Sequence, residues 1–161
     1  MTGITPFLWY DDQAEEAAYF YTSIFPNSRV LRTVRYGDAG PGPKGTVMTV
    51  EFELDGQRMS ALNGGPVFPH TPAFSLVVRC DSQEEIDRYW SKLSADPNAE
   101  QCGWVRDKYG LSWQIVPNTL IELIADPDPE KAKRVTAAMM RMKKIDIEEL
   151  KRAHAGEPAG A

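Results

Sequence analysis

At 161 residues and a formal net charge of −5, the chain is long enough to fold around its own core, and it offers no electrostatic reason to bind nucleic acid or an anionic membrane surface. Hydrophobic residues are 42% and charged residues 25%, which is ordinary for a globular protein, and no apolar run approaches the roughly 20 residues of a membrane-spanning helix. The N-terminal stretch lacks the basic and apolar regions of an export signal, so the sequence predicts a cytoplasmic protein.

Two segments, Pro6–Phe25 and Ser75–Ser94, repeat one pattern after a shift of 69 residues, which carries Asp12 onto Asp81. Each copy contains a short apolar strand, an Asp that can cap a helix, and a Glu three residues later. Apolar residues then recur at helical spacing. The pattern therefore predicts one βαβββ-type module present in two tandem copies.

The rest of the first copy is predicted to consist of strands. A strand is expected from Arg29 to Tyr36, and Thr46–Leu54 alternates apolar and polar residues as a half-buried strand does. Asp55-Gly56 is a typical two-residue hairpin turn, and Gln57–Asn63 is the predicted return strand. The second copy repeats the hairpin with Cys102–Val105, a turn at residues 107–110, and residues 111–116.

The loop between the first copy's strands contains Gly40-Pro-Gly-Pro-Lys-Gly45, which matches the letters of a dinucleotide-binding motif. Such a site needs backbone N–H groups on a turn that opens a helix. Here two prolines remove donors, and a strand follows. The sequence therefore predicts an ordinary loop at this position.

The chain is predicted to divide into a first module at residues 1–66, a second at 72–125 and a helical tail at 126–161. Asp128-Pro129 is typical of a helix start, and Asp146 with Glu149 predicts another short helix. Cys80 and Cys102 lack metal-site spacing, and no export signal precedes them. Both are therefore predicted to be reduced thiols.

The tandem order of strand, Asp, helix and hairpin resembles the vicinal oxygen chelate superfamily, which includes glyoxalase I, extradiol dioxygenases and bleomycin-resistance proteins. The finer similarity is to the PhnB-like branch labelled 3-demethylubiquinone-9 3-methyltransferase. It rests on the runs WYDDQAEEAAYFY with IFPNS, ALNGGP, DSQEEIDRYWSKL, CGWVRDKYGLSWQIVP and RMKKIDIEELKRA. The resemblance implies an α+β fold of curved mixed sheets (glyoxalase/bleomycin-resistance-like) plus C-terminal helices, a pocket in each concavity, and a homodimer.

Metal-using relatives of this superfamily place a His on the first strand of each module and a Glu near the end of each hairpin's return strand. Transferred by motif, these positions hold residues that are not usual ligands of a transition metal. They are Pro6, Ser60, Ser75 and Gln114. We therefore predict no metal and no cofactor.

Because residues two apart share one face of a strand, the same positions predict which other side chains line the pocket. Pairing across the Asp55-Gly56 turn adds Glu51 opposite Ser60. The remaining predicted pocket residues are Leu8, Tyr10, Leu62, Val77, Arg79, Ser112 and Val116. Residues at the alternate strand positions are predicted to lie on the opposite face, under the helices. They are Trp9, Met59, Trp113 and Ile115.

Eight of these and neighbouring residues are candidate ligand-binding residues, and four of them keep alternative roles. Glu51 is the candidate general base, which would need burial to raise its pKa, although Glu51 and Arg79 can equally be solvated or pair with each other. Trp104 can close over a ligand or pack, and Asn63 can cap its turn or meet a ligand. The candidates are Tyr10, Glu51, Ser60, Asn63, Ser75, Arg79, Trp104 and Gln114.

These features predict a metal-free protein that binds a small apolar or aromatic molecule. The alternatives are an enzyme of the same fold, either a metal-dependent lyase, isomerase or dioxygenase or one that uses Glu51, and the methyltransferase that the family label implies. No glycine-rich turn leads from a strand into a helix to hold S-adenosylmethionine. A further alternative is an interaction role for Met139, Met140 and Met142, so the sequence leaves open whether the protein is an enzyme.

Overall fold

The computed structural model of the chain describes residues 3–158. These residues form two compact units that divide between His70 and Thr71, and each unit packs helices against a sheet. The α+β class predicted from the sequence is therefore confirmed. The module boundaries predicted at residues 66, 72 and 125 stay predictions.

The first unit is a βαβββ module, as predicted. Its four strands lie in the order β1 (Phe7–Tyr10), β4 (Gln57–Asn63), β3 (Val47–Leu54) and β2 (Arg29–Arg35). The sheet is mixed, because β1 pairs with β4 in parallel and the other neighbours are antiparallel. Asp55 and Gly56 take positive φ angles of 47° and 79°, as the tight hairpin turn between two strands requires. Between β1 and β2 the chain forms one helix, α1 (Ala14–Ile24).

The face of this sheet that α1 covers was predicted wrongly for β1. Phe7 lies opposite Ser60, and Tyr10 lies opposite Asn63. Leu8 and Tyr10 are therefore buried on the helix side, where the Tyr10 hydroxyl lies 3.1 Å from the Tyr21 hydroxyl. A slip of one residue along a strand moves every side chain to the other face. The same slip puts Trp9 on the open face, although the sequence predicted it under the helix.

The second unit has three strands instead of the four predicted, in the order β5 (Ser75–Cys80), β7 (Ser112–Pro117) and β6 (Trp104–Arg106). Within the described residues it has no counterpart of β2, because residues 94–103, between α2 (Gln83–Leu93) and β6, are too few for another strand and its turns. A short 3-10 turn, Pro97–Ala99, occupies part of that segment.

The faces of the second sheet follow the prediction. Val77 and Trp104 both lie opposite Gln114, so they share the open face. Trp113 and Ile115 are buried on the other face, where α2 packs. The predicted hairpin turn is also confirmed, since the Gly110 amide donates to the Asp107 carbonyl at 3.0 Å.

The caps of α1 and α2 differ from the prediction. Ser82, not Asp81, caps α2, because its hydroxyl accepts the Glu85 amide at 3.2 Å while Glu85 accepts the Asp81 amide at 2.8 Å. The sequence contains two overlapping capping-box patterns, which are offset by one residue. In α1 the Ala14 amide donates to the side chain of Asn63 at 2.8 Å, so the cap comes from another strand and not from Asp12.

Three helices follow β7 within the second unit. The starts of the last two are as predicted, with the carboxylates of Asp128 and Asp146 accepting the amides of Glu130 and Glu149. The first of the three was not predicted. The helices are α3 (Asn118–Ile124), α4 (Pro129–Arg141) and α5 (Ile147–Ala155), and they bury a cluster of Leu120, Val135, Ile145 and Leu150. Between residues 3 and 158, none of the helices combines the length and apolar character needed to cross a membrane.

Candidate functional site

Glu51 and Ser60 lie opposite each other on the open face of the first unit's sheet, as predicted. The Glu51 carboxylate is half-buried and forms an ion pair with Arg32, with 2.6 Å between Oε1 and Nη2. Arg32 is exposed and lies on the neighbouring strand. Glu51 thus has a charge partner that the sequence did not predict, and this pairing favours a role in the sheet surface over that of a general base.

Two other candidates of the first unit are engaged within the protein. The Asn63 amide oxygen accepts the Ala14 amide at 2.8 Å, and its nitrogen donates to the Val47 carbonyl at 3.2 Å. Asn63 therefore joins α1 to β3 and β4, and it caps a helix where the sequence suggested a turn. Tyr10 is only 3% exposed and faces α1, so it lies on the opposite side of the sheet from Glu51 and Ser60.

A cavity of about 610 Å³ opens in the first unit between the start of α1 and the loop after β2. The loop closes over Tyr36, whose hydroxyl donates to the Asn63 carbonyl at 2.6 Å. A Cβ atom added at Gly40 or Gly42 would come within 2.5 Å of that ring, so these glycines serve packing rather than phosphate binding. The lining of the cavity is acidic and disfavours anions, because it includes Asp11, Asp12, Glu15 and Glu16.

The open face of the second unit's sheet brings three predicted residues together. The Gln114 amide donates to the Ser75 hydroxyl at 2.9 Å, and Trp104 lies opposite Gln114 on the edge strand. Arg79 lies on the same face and is exposed. The polar side chains of Ser75 and Gln114 thus satisfy one another beside an aromatic ring.

A second cavity of about 630 Å³ lies at the Trp104 edge of this sheet. Its polar groups are few and include the side chains of Gln101 and Ser112, of which Ser112 is buried. Trp104 is the residue, among those predicted to bind a ligand, that lines this cavity. The apolar part of the wall is formed by Pro72, Ala99, Trp104, Val105, Met139 and Met140.

The charges at this cavity are largely compensated. The Arg106 guanidinium forms an ion pair with Asp96. The pKa of the Asp96 carboxyl is lowered, first by the hydrogen bond from the Asn98 amide and then by the one from Arg106. With its cation already paired, the cavity presents a mainly apolar surface to a ligand.

Met139 and Met140 were not predicted as ligand-binding residues, although an interaction role for them was one alternative. They reach the cavity because the C-terminal end of α4 lies against the residues just before β6, where the Gln101 amide donates to the Met140 carbonyl at 3.0 Å. Strand alternation reports only on side chains of the sheet itself, so no signal of that kind could have found them. Ser112, by contrast, was placed on the pocket face correctly.

The donor set does not fit a catalytic divalent metal. The residues predicted at the positions of the metal ligands are Pro6, Ser60, Ser75 and Gln114, and the residue that pairs with Ser60 on β1 is Phe7, not Pro6. Within residues 3–158 there is no group of three or more His, Cys, Asp or Glu side chains arranged to hold a metal. Hydroxyl and amide oxygens bind transition metals weakly compared with imidazole and thiolate.

Within residues 3–158, the three strand-to-helix connections offer no cradle for S-adenosylmethionine, and at one of them β7 runs directly into α3 with no residue between. The connection from β1 to α1 is Asp11–Gln13, and that from β5 to α2 is Asp81-Ser82, and neither contains glycine. The glycine-rich loop runs from β2 into β3, as the sequence predicts. The residues present do not fit the cofactor that the methyltransferase label implies.

The chain is similar to one known protein family and to several solved structures. A family model described as 3-demethylubiquinone-9 3-methyltransferase matches residues 2–116. A PhnB protein from Bacillus cereus is 39% identical, with a TM-score of 0.61, and the match covers 72% of this chain and 99% of that one. A Pseudomonas aeruginosa protein is 20% identical, with a TM-score of 0.56 and coverage of 73% and 98%. None of the curated proteins matches the chain.

Proposed function

We propose, because the chain belongs to the family described as 3-demethylubiquinone-9 3-methyltransferase, that it binds a small apolar or aromatic molecule without a metal ion. Membership confirms the PhnB-like resemblance and the glyoxalase/bleomycin-resistance-like fold expected from the sequence. The methyltransferase in the family description forms no part of the proposal, since the strand-to-helix connections offer no glycine turn for its cofactor.

The observation that carries the proposal is the second unit's cavity. Its volume of about 630 Å³ lies within the range of small-molecule sites, which runs from roughly 300 to 1,000 Å³. Trp104 offers an aromatic face for stacking, and the two methionines add polarizable apolar surface. The Ser112 hydroxyl and the Gln101 amide can orient a polar group on the ligand.

Replacing Trp104 by alanine is expected to weaken binding of an uncharged aromatic probe, N-phenyl-1-naphthylamine, about tenfold or more. Buried aromatic side chains are the usual anchors of a binding site, and their truncation commonly costs at least 1–2 kcal/mol, so about tenfold. A fluorescence titration of the native protein and the variant measures the change. Tyr19→Ala, which truncates an exposed aromatic residue of the first unit, is the matched control and should bind as the native chain does.

Absence of saturable probe binding to the native protein would contradict the proposal. So would a Tyr19→Ala loss as large as that of Trp104→Ala, because the probe would then bind the surface generally. Elemental analysis of protein purified without chelator checks the metal-free part. A stoichiometric content of zinc, nickel, manganese or iron would contradict the proposal that the protein holds no metal ion.

A homodimer is the second part of the proposal. The first unit exposes apolar side chains beside its open sheet face, where Phe68 packs edge-on against Trp9 at 5.0 Å and Phe7 is 59% exposed. A second copy of the chain can cover such a surface. Light scattering should give about 36 kDa, twice the chain mass of 18.0 kDa. Phe7→Ser with Phe68→Ser should shift the mass toward the monomer, and a native mass of one chain would refute the dimer.

A further inference from the structure

The three C-terminal helices lie beyond the residues that the family model matches. The family model ends at residue 116, and α3 begins at Asn118. The Bacillus cereus relative is covered over 99% of its own length by a match that takes in 72% of this chain. The helical segment thus lies outside these two matches, and its contacts within the second unit affect what that unit can bind.

Backbone contacts hold this segment against the hairpin of the second unit. The amides of Cys102 and Gly103 donate to the carbonyls of Met142 and Lys143 at 2.9 and 2.7 Å. Gly103 has a φ of 84°, and a Cβ there would lie 2.9 Å from the Ile115 carbonyl oxygen and 3.2 Å from Ile145. Any larger residue would therefore push the two pieces of chain apart.

A side-chain clamp on α2 fixes the segment at a second point. The Gln83 amide nitrogen donates to the Ile145 carbonyl, and its oxygen accepts the Ile147 amide, both at 3.0 Å. Ile145 is fully buried in the cluster that α3, α4 and α5 form. The end of α4 is therefore held in a defined position and does not move freely over the sheet.

From this position α4 supplies a wall of the Trp104 cavity. Met139 and Met140 both line it, and the Met140 sulfur lies 3.8 Å from the Cys102 sulfur. The Gln101 amide donates to the Met140 carbonyl at 3.0 Å, which ties the backbone of α4 to the rim of the cavity. Met140 is nevertheless 57% exposed, so its side chain is free to rearrange around a ligand.

We infer that α4 determines the ligand specificity of the cavity, and that Met139 and Met140 select uncharged aromatic molecules of varied shape. A thioether side chain has three rotatable bonds and a polarizable sulfur, and it adapts to flat rings without a charge or a strong hydrogen bond. The ion pair of Arg106 with Asp96 leaves no uncompensated cation in the lining to favour an anionic ligand. This inference rests on the proposed binding function and adds its selectivity.

The test measures binding of N-phenyl-1-naphthylamine and the bulkier pyrene to the full chain and two α4 variants. Met140→Ser is expected to weaken both probes five- to tenfold. Ala137→Ser, an exposed change on the same helix outside the lining, should leave both affinities unchanged. Met140→Leu keeps the apolar surface but loses flexibility, so we expect the affinity ratio of the two probes to change at least threefold.

A label on the methionine methyl groups gives a readout that does not depend on substitution. With ¹³C-methyl methionine, the Met139 and Met140 signals should shift on titration with N-phenyl-1-naphthylamine, while that of Met59, buried in the first unit, stays in place. If the native chain binds and Trp104→Ala weakens binding, but both α4 signals and the Met140→Ser affinity are unchanged, the inference on α4 fails alone. If the native chain does not bind the probe, the proposed function fails and the inference falls with it.

Discussion

Replacement of Asp107 by alanine is expected to lower the free energy of unfolding by about 3–5 kcal/mol. Asp107 is 3% exposed, and its carboxylate accepts hydrogen bonds from the Tyr109 and Leu111 amides at 2.8 and 3.0 Å. Its other oxygen accepts the Trp113 indole N–H at 2.8 Å. Hydrogen bonds to a charged acceptor contribute more than neutral ones, and removal of this acceptor leaves buried donors without it.

Urea unfolding followed by tryptophan fluorescence and circular dichroism measures this loss. Asp38→Ala is the matched control, because Asp38 is exposed and paired only at the surface with Lys44, so its loss should stay within about 0.5 kcal/mol. Asp107→Asn separates the contributions, since an amide can accept the two backbone amides yet offers the indole N–H no second acceptor. A loss below about 1 kcal/mol for Asp107→Ala would show that the turn does not depend on this carboxylate.

The two cysteines are expected to differ at least about a thousandfold in their rate of reaction with Ellman's reagent at pH 8. Cys80 is 1% exposed at the end of β5, and its burial, with the nearby Glu85 carboxylate, raises its thiol pKa to about 12. Only about one Cys80 thiol in ten thousand is then ionised at pH 8, whereas an ordinary thiol is about one-quarter thiolate. Cys102 is half-buried at the wall of the Trp104 cavity.

The native protein should therefore release one equivalent of reporter quickly and a second only after denaturation. Cys102→Ser should remove the fast equivalent, and Cys80→Ser should leave it unchanged. Two fast equivalents in the native state would mean that β5 opens readily or that the Cys80 thiol is not buried. The same assay checks the predicted pair of reduced thiols, because a disulfide would release nothing.

Local patterns in the sequence were sufficient to predict most elements. The repeated strand-and-helix run predicted α1 and α2, and the Asp55-Gly56 turn predicted the first hairpin with its register, so Glu51 was placed opposite Ser60. A two-residue turn fixes which residues pair, because strands joined so closely cannot shift along one another. In the second unit the same parity argument placed Ser75 and Gln114 on one face, where their side chains meet.

Long-range pairings decided what local patterns could not. The parallel pairing of β1 with β4 has no turn between the strands to set its register, and it came out one residue from the prediction, which buried Tyr10 and exposed Trp9. The cap of α1 comes from Asn63, which is 49 residues from Ala14. A strand pattern contains no information about partners so distant in the chain.

By itself the sequence determined the family, the α+β class and most of the helix and hairpin segments. The tertiary structure alone decided where a cavity forms and which side chains enclose it. Trp104 was a candidate because its strand is local, but Met139 and Met140 join it only because α4 packs beside the hairpin. Packing between elements far apart in the chain depends on the summed fit of many side chains, and no short motif records that fit.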